Sequence, residues 1–326
     1  MTGAGGFIGG HLVATLRKRP NTRVRAVDSK PANQWCQRFD DVDNLVLDLQ
    51  LRETCMTATR GISDVYQLAA DMGGMGFIEN NKAACMLSVL INTNMLIAAK
   101  ELGAKRYFYA SSACVYNADK QRDSKVVPLR EADAYPALPE DGYGWEKLFS
   151  ERMCPHFTED FGLYTRVARF HNVYGPHGTW DGGREKAPAA VCRKVIEAKE
   201  TGKHVIDIWG TGKQTRSFMY IDDCIDGIQR IMDSSRIDEP INLGSSEIVS
   251  IDGLVDLAQS IGGINLQRRH DLNAPVGVNG RNSDNTLIKA RLGWEPTYPL
   301  RTGLEHTYAW ILEQYRLRRA AKSVTL

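Results

Sequence analysis

The sequence predicts an α/β fold of the Rossmann type: a doubly wound parallel sheet with a smaller C-terminal lobe that takes substrate. Three observations carry that expectation. A glycine-rich turn, Thr2-Gly3-Ala4-Gly5-Gly6-Phe7-Ile8-Gly9, runs into a stretch of helical period. Short apolar runs then alternate with further helical stretches, the pattern of a parallel sheet covered on both faces. Finally, a run ending in Ser111-Ser112 is followed by Tyr143-Gly144-Trp145-Glu146-Lys147. Each motif is weak alone, but in this order they describe chemistry that moves hydride between a dinucleotide and an alcohol carbon.

The elements follow in order. A helix over 7–19 places its N-terminus at the glycine turn. Strands are expected over 23–27, 45–49, 64–69, 106–111 and 165–170, with long helices over 82–102 and 143–161. The strands run out at Asp28, Asp48, Ala69-Ala70-Asp71, Ser111-Ser112 and His171-Asn172. Ligands of open α/β sheets bind outside the carboxyl ends of the strands, so these residues share one rim. After about residue 171 the alternation breaks. Residues 1–171 read as the dinucleotide-binding Rossmann domain, with a return near 217–245, and 172–326 mainly as the smaller substrate lobe. One feature departs from the fold: the glycine turn normally follows a central strand, yet only Met1 precedes Thr2. The first strand is therefore expected to be missing, leaving two neighbours without a ladder partner. The reading is a fragment, or a start at an internal methionine, with roughly ten or more residues upstream.

Composition narrows the class. The chain has 326 residues, 43% hydrophobic and 25% charged, with a net charge of +2. That balance gives no bulk field toward nucleic acid or membrane. No run of 18 apolar residues and no signal-like start is present. Seven scattered cysteines without a Cys-x-x-Cys fit a reducing, cytoplasmic setting. His171, His177 and His270 have no metal-ligand spacing, so no metal is expected. The basic run Arg316, Arg318, Arg319 and Lys322 reads as the solvated end of a last helix.

Gly3, Gly6 and Gly9 give a tight turn and close backbone approach. Phe7 and Ile8 open the helix whose free N–H groups face a pyrophosphate. Asp28, about twenty residues on, suits ribose hydroxyls and repels a 2′-phosphate, which favours NAD, although Lys30 nearby softens the argument. Asp48 is either an adenine-edge contact or a helix cap. Tyr143 and Lys147 share a helix face; the ammonium would lower the phenol's pKa and make Tyr143 a base, with Ser112 holding the substrate oxygen. Cys114, two residues beyond Ser112, is taken alone a small buried hydrophobe, and Lys186 alone a surface charge.

These motifs resemble the extended short-chain dehydrogenase/reductases that act on nucleotide sugars, along the whole chain to Leu292-Gly293-Trp294-Glu295-Pro296. Within that family the resemblance is to the GDP-mannose 3,5-epimerases. It is carried by Ala70-Asp71-Met72-Gly73-Gly74-Met75-Gly76, Ser112-Ala113-Cys114, Gly183-Arg184-Glu185-Lys186-Ala187-Pro188, Gln214-Thr215-Arg216-Ser217-Phe218 and Gly280-Arg281-Asn282-Ser283-Asp284-Asn285. It implies bound NAD, a GDP-sugar substrate, and Cys114 with Lys186 as an acid/base pair, Lys186 lowering the thiol's pKa. It further implies substrate contacts from Gly73, Ala113, Glu185, Lys194, Gln214 and Thr215, with Arg216 and Arg281 on the pyrophosphate. A homodimer built on the helices 82–102 and 143–161 is also implied. One departure is Asn117-Ala118-Asp119 after Tyr116, where relatives tend to carry a Pro-Glu-aromatic segment. Another member of the family (a 4-epimerase, 4,6-dehydratase or decarboxylase) is the alternative. A non-catalytic NAD sensor would be expected to lack the Tyr or the Lys.

Overall fold

The computed structural model describes residues 1–324, with side chains through Ala321. Its main sheet is parallel throughout. β1 (Arg25–Asp28) pairs with β2 (Asp43–Val46); β3 (Asp64–Gln67), β4 (Arg106–Ser112) and β5 (Tyr164–Phe170) follow in order, and the strand Ile241–Leu243 completes the far edge. This last strand is the return of the chain to the first sheet. Between β1 and β3 lie Met1 and Thr2. Thr2 bridges Val27 on one side and Gln67 on the other. Its N–H donates to the Tyr66 carbonyl at 3.0 Å, and the Val27 N–H donates to the Met1 carbonyl at 2.8 Å. A stub thus stands in the place of the first strand, shared by the two neighbours expected to lack a partner.

β4 shows why the sheet forms. Tyr107 and Tyr109 point to one face and Phe108 to the other, all of them buried. Alternation sends successive side chains to opposite faces, and here both faces are apolar because both are covered. The helices are α1 (Phe7–Leu16), α2 (Arg52–Thr59), α3 (Met75–Asn80), α4 (Lys82–Met86), α5 (Ser88–Glu101), α6 (Tyr143–Phe161), α7 (Ala187–Thr201), α8 (Ile221–Asp233), α9 (Ile251–Gly262), α10 (Thr286–Leu292) and α11 (Leu300–Val324). α5 and α6 cover the Tyr107 face, and α1 with α8 covers the Phe108 face.

Several sequence boundaries shift. The first helix ends at Leu16 rather than 19, because Pro20 disfavours helical backbone in the residue before it. The expected single helix over 82–102 divides at Leu87 into α4 and α5. Together 82–101 are long and apolar enough by composition to cross a membrane; in the fold the stretch packs on α2 and α6. Met86, Leu87 and Leu90 stay exposed there, as do Trp145 and Phe149 on α6. The basic C-terminal run is paired rather than simply solvated: Arg316 meets Glu200 at 2.9 Å and Arg318 meets Asp181 at 2.6 Å. The Lys322 side chain lies outside the described residues.

Beyond β5 the strands are short. Thr215–Ser217 pairs with Ile248–Ser250 and Gly280–Arg281, and Val205–Trp209 pairs with Gln267–Asp271. α7 packs against α9 and α11. Lys186 is its N-cap residue, and Pro188 stands in its first turn, where a missing N–H costs nothing. The end of β4 and the start of α7 are thereby fixed, and both face the rim.

Candidate active site

The rim opens into a cavity of about 750 Å³. Its wall includes Gly3, Gly6, Phe7, Ile8, Gly9, Asp28, Asp48, Gly73, Ser112, Tyr143, Lys147 and Lys186. That volume is within the usual range for a small-molecule or cofactor site. The glycines are required by geometry. Gly3 has φ +68°, and a Cβ on Gly9 would stand 2.0 Å from the Gly3 carbonyl oxygen. Asp28 first shapes this turn: its Oδ2 accepts from the Gly5 N–H at 2.9 Å and its Oδ1 from the Lys30 N–H at 3.0 Å. A carboxylate has roughly four acceptor sites, so capacity remains for ribose hydroxyls. Lys30 Nζ donates to the Gly5 carbonyl at 2.9 Å. Asp48 is not the helix cap, since α2 is preceded by Leu51 without a side-chain cap; it accepts from the Gln50 N–H at 3.0 Å and forms cavity wall. The cradle, the acidic residue and the cavity fit a dinucleotide.

Tyr143 opens α6 behind Gly142, whose φ is +74°. Lys147 is buried and donates to the Tyr109 hydroxyl and the Ala110 carbonyl, both at 3.2 Å. Its ammonium stands 5.5 Å from the centre of the Tyr143 ring. One expectation fails here. Burial, helped by the neighbouring Cys114 and Glu146, pushes the Tyr143 phenol well above its ordinary pKa, against a smaller pull from the Ser112 hydroxyl. The ammonium is spent on the Tyr109 hydroxyl and a carbonyl rather than on the phenol, so Lys147 alone does not make Tyr143 acidic.

Cys114 lies on a single 3₁₀ turn, Ala113–Val115, directly after β4, with its N–H capped by Ser112 Oγ at 3.2 Å. The thiol is pushed up to about 11, first by burial and then by Glu140, against a smaller pull from Arg281. The net shift of the thiol is therefore upward, even though Lys186 lies within its field. Lys186 goes the other way: burial depresses its pKa, and Cys114 and Glu140 oppose that shift. Cys114 is buried and Lys186 half-buried, within each other's field, and Lys186 shares the cavity wall with Ser112 and Tyr143.

Several expected substrate contacts are engaged elsewhere. Arg281 spends its fork on protein: Nη2 donates to Glu140 at 2.7 Å, Nε to Gln121 at 2.7 Å, and Nη1 reaches Cys114 Sγ at 3.6 Å. Arg216 donates to the carbonyls of Thr215, Val276 and Val278, and burial lowers its pKa to about 10. Glu185 holds the Gly183 N–H at 2.7 Å and Arg193 at 3.1 Å, so it shapes the loop before Lys186. Lys194 donates to the Asp207 carbonyl, Gln214 to the Trp209 carbonyl and Thr215 to the Ser124 carbonyl. Gly73 is small because a Cβ would stand 2.8 Å from Phe77. The cavity wall stops short of Ala113, Cys114, Glu185, Lys194, Gln214, Thr215, Arg216 and Arg281. Among the described residues no cluster of three His, Cys, Asp or Glu stands ready to hold a metal ion.

The sequence reading missed Glu140, Gln121 and Arg184. Pro139-Glu140-Asp141-Gly142 reads as a surface turn, and nothing local signals burial of its carboxylate. Arg184 forms cavity wall, pairs with Asp71 at 2.8 Å and lies 3.8 Å over the Phe77 ring.

Comparison with known proteins agrees with this geometry. The chain is 48% identical over 315 residues to GDP-mannose 3,5-epimerase 1 of Oryza sativa subsp. japonica, covering 96% of this chain and 81% of that one. It is 46% identical over 324 residues to GDP-mannose 3,5-epimerase of Arabidopsis thaliana, covering 99% and 84%. In fold it matches a UDP-glucose 4-epimerase of Thermotoga maritima solved with UDP-glucose, with a TM-score of 0.85 at 23% identity over 96% of this chain and 98% of that one. Residues 1–244 match the NAD dependent epimerase/dehydratase family, and with the glycine cradle, the Tyr143–Lys147 pair and these relatives the chain belongs to it.

Proposed function

We propose that this chain epimerises GDP-mannose at C3 and C5, giving GDP-L-galactose, with GDP-L-gulose formed by inversion at C5 alone. The relatives named for that reaction support the substrate. The observation that supports the chemistry is the pairing of a thiol and an amine, buried Cys114 and half-buried Lys186, lying within each other's field beside the residues read as the hydride site, Ser112 and Tyr143. A plain 4-epimerase has no use for it.

When bound, NAD supplies reversible removal of hydride from C4. Residues 1–171 would hold it, through Gly3, Gly6, Gly9, Asp28 and Lys147. The positive charge of oxidised NAD, when bound, would oppose the burial that holds the phenol protonated, so that Tyr143 takes and returns the C4 hydroxyl proton while Ser112 orients the oxygen. With C4 as a ketone, the hydrogens on C3 and C5 become acidic, and inversion needs one group to remove a proton and another to deliver one from the opposite face. Cys114 and Lys186 suit this because burial sets them oppositely: the thiol is held protonated and the charged amine is penalised. Arg216, Gln214 and Lys194, from the 172–326 part, would give up carbonyl partners to meet the GDP moiety.

The exposed Met86, Leu87, Leu90, Trp145 and Phe149 form an apolar face on α4–α6 that a second copy of the chain would cover. Seven free cysteines support a cytoplasmic setting. Incubation with GDP-mannose in deuterated water tests the reading by NMR. Deuterium at C3 and C5 is the expected result. Label confined to C6 would mean a dehydratase, and unchanged mannose would end the assignment.

A further inference from the structure

We propose that Glu140 is a positioning residue for the proton carrier Cys114, acting through the Arg281 guanidinium that the two share. The proposal rests on the acid–base role given to Cys114 above. Arg281 is 4% exposed, and its fork bridges the Glu140 carboxylate at 2.7 Å and the Cys114 sulfur at 3.6 Å. Gln121 fixes the third donor at 2.7 Å, so the guanidinium cannot swing away without breaking a buried hydrogen bond. The backbone ties the same partners: the Glu140 N–H donates to the Cys114 carbonyl at 3.0 Å. Gly144 closes the arrangement, since a Cβ there would stand 2.4 Å from that carbonyl oxygen.

The remaining Glu140 oxygen, Oε2, is buried without a hydrogen-bond partner by geometry, although the Cys114 thiol is close enough to act as a weak donor to the carboxylate. Burial disfavours the Glu140 charge, but Arg281 and the thiol outweigh it, and the carboxyl sits below its ordinary range. A guanidinium beside sulfur favours the thiolate, whereas a carboxylate disfavours it. Glu140 therefore decides how much of the Arg281 charge the sulfur experiences. The other groups facing this cluster are Lys186, Arg216, Tyr143 and Ser112, with Cys85 packed against the same residues. Glu140 is the carboxylate that acts on Cys114 here, while Glu146 bears on Tyr143 and Cys85.

The test is the alkylation rate of Cys114 by iodoacetamide at pH 8 in the NAD-loaded full chain. The Cys114 peptide is quantified by mass spectrometry, so the other cysteines do not contribute. In Glu140→Gln the amide can still accept from Arg281, but the charge is gone. Its rate should rise about tenfold or more, equivalent to one pH unit in the thiol. Glu140→Asp, which keeps the charge, should stay within about twofold of the parent. An unchanged rate in Glu140→Gln overturns the proposal. If that variant fails to fold, Arg281→Gln decides: its rate should fall, and an unchanged or higher rate overturns the proposal. The pH profile of C3 and C5 proton exchange should move down in Glu140→Gln by the same amount. Alkylation needs no sugar, so failure of the substrate assignment leaves this test standing.

Discussion

The proposed proton-exchange pair, Cys114 and Lys186, needs little local chemistry once burial is arranged. Water would leave the thiol mostly protonated and the amine almost wholly charged; burial here pushes the thiol up and the amine down. His171, at the end of β5, carries the same physics into stability. Its Nε2 lies 2.9 Å from Asn242 Oδ1, its Nδ1 is buried without a partner, and burial lowers its pKa to about 3. The folded state thus keeps it neutral, while the unfolded chain takes up a proton below about 6.5. Its contribution is fully present above that pH and is lost as the pH falls toward 3, at up to about 1.4 kcal/mol per unit. We expect the melting temperature of the native chain to fall more steeply between pH 6.5 and 5 than that of His171→Asn. Equal slopes would contradict this. Tyr143→Phe removes the hydroxyl that exchanges the C4 proton and should lower turnover of GDP-mannose by about a hundredfold or more, read by product formation.

Among the elements, the glycine turn and the α4–α6 face make separable claims. Gly9→Ala puts a Cβ against the Gly3 carbonyl oxygen, a contact of 2.0 Å that the backbone must relieve. We expect a loss of about 1–3 kcal/mol, and purified protein depleted of NAD; a variant that retains both stability and cofactor would contradict the cradle. On the other face, Leu87→Glu with Phe149→Glu should turn the proposed dimer into a monomer in sedimentation velocity, with the site intact; a native chain that already sediments as a monomer would contradict the dimer. The same elements show what a sequence exposes. Apolar runs located β3, β4 and β5 to within a few residues, because burial on both faces leaves a local signature, and Tyr143–Phe161 came out as expected behind Gly142. Leu87 gave no such sign, because the break between α4 and α5 keeps near-helical backbone angles. The roles of Arg216 and Arg281 were less legible still. Their partners, Val276, Val278, Gln121 and Glu140, are distant in the chain, and nothing local distinguishes a fork turned to phosphate from one spent on carbonyls and a carboxylate.

For the whole molecule, the first sheet supplies the cofactor cradle and Cys114, and the start of α7 brings Lys186 over it. The cofactor should therefore stabilise the fold as a ligand of the native state. Stripping NAD from protein held at a hundredfold over its dissociation constant removes about 2.7 kcal/mol, and the melting temperature should drop by roughly 4 °C. The central claim is that hydride transfer and proton exchange belong to different residues of one site. The direct measurement adds GDP-mannose to NAD-loaded Cys114→Ala and Lys186→Ala in deuterated water. Nicotinamide reduction is followed at its absorbance band, and label at C3 and C5 by NMR. We expect both variants to reduce bound NAD while C3 and C5 keep their protium. Loss of NAD reduction in both, or full deuterium exchange in either, would contradict the division of labour.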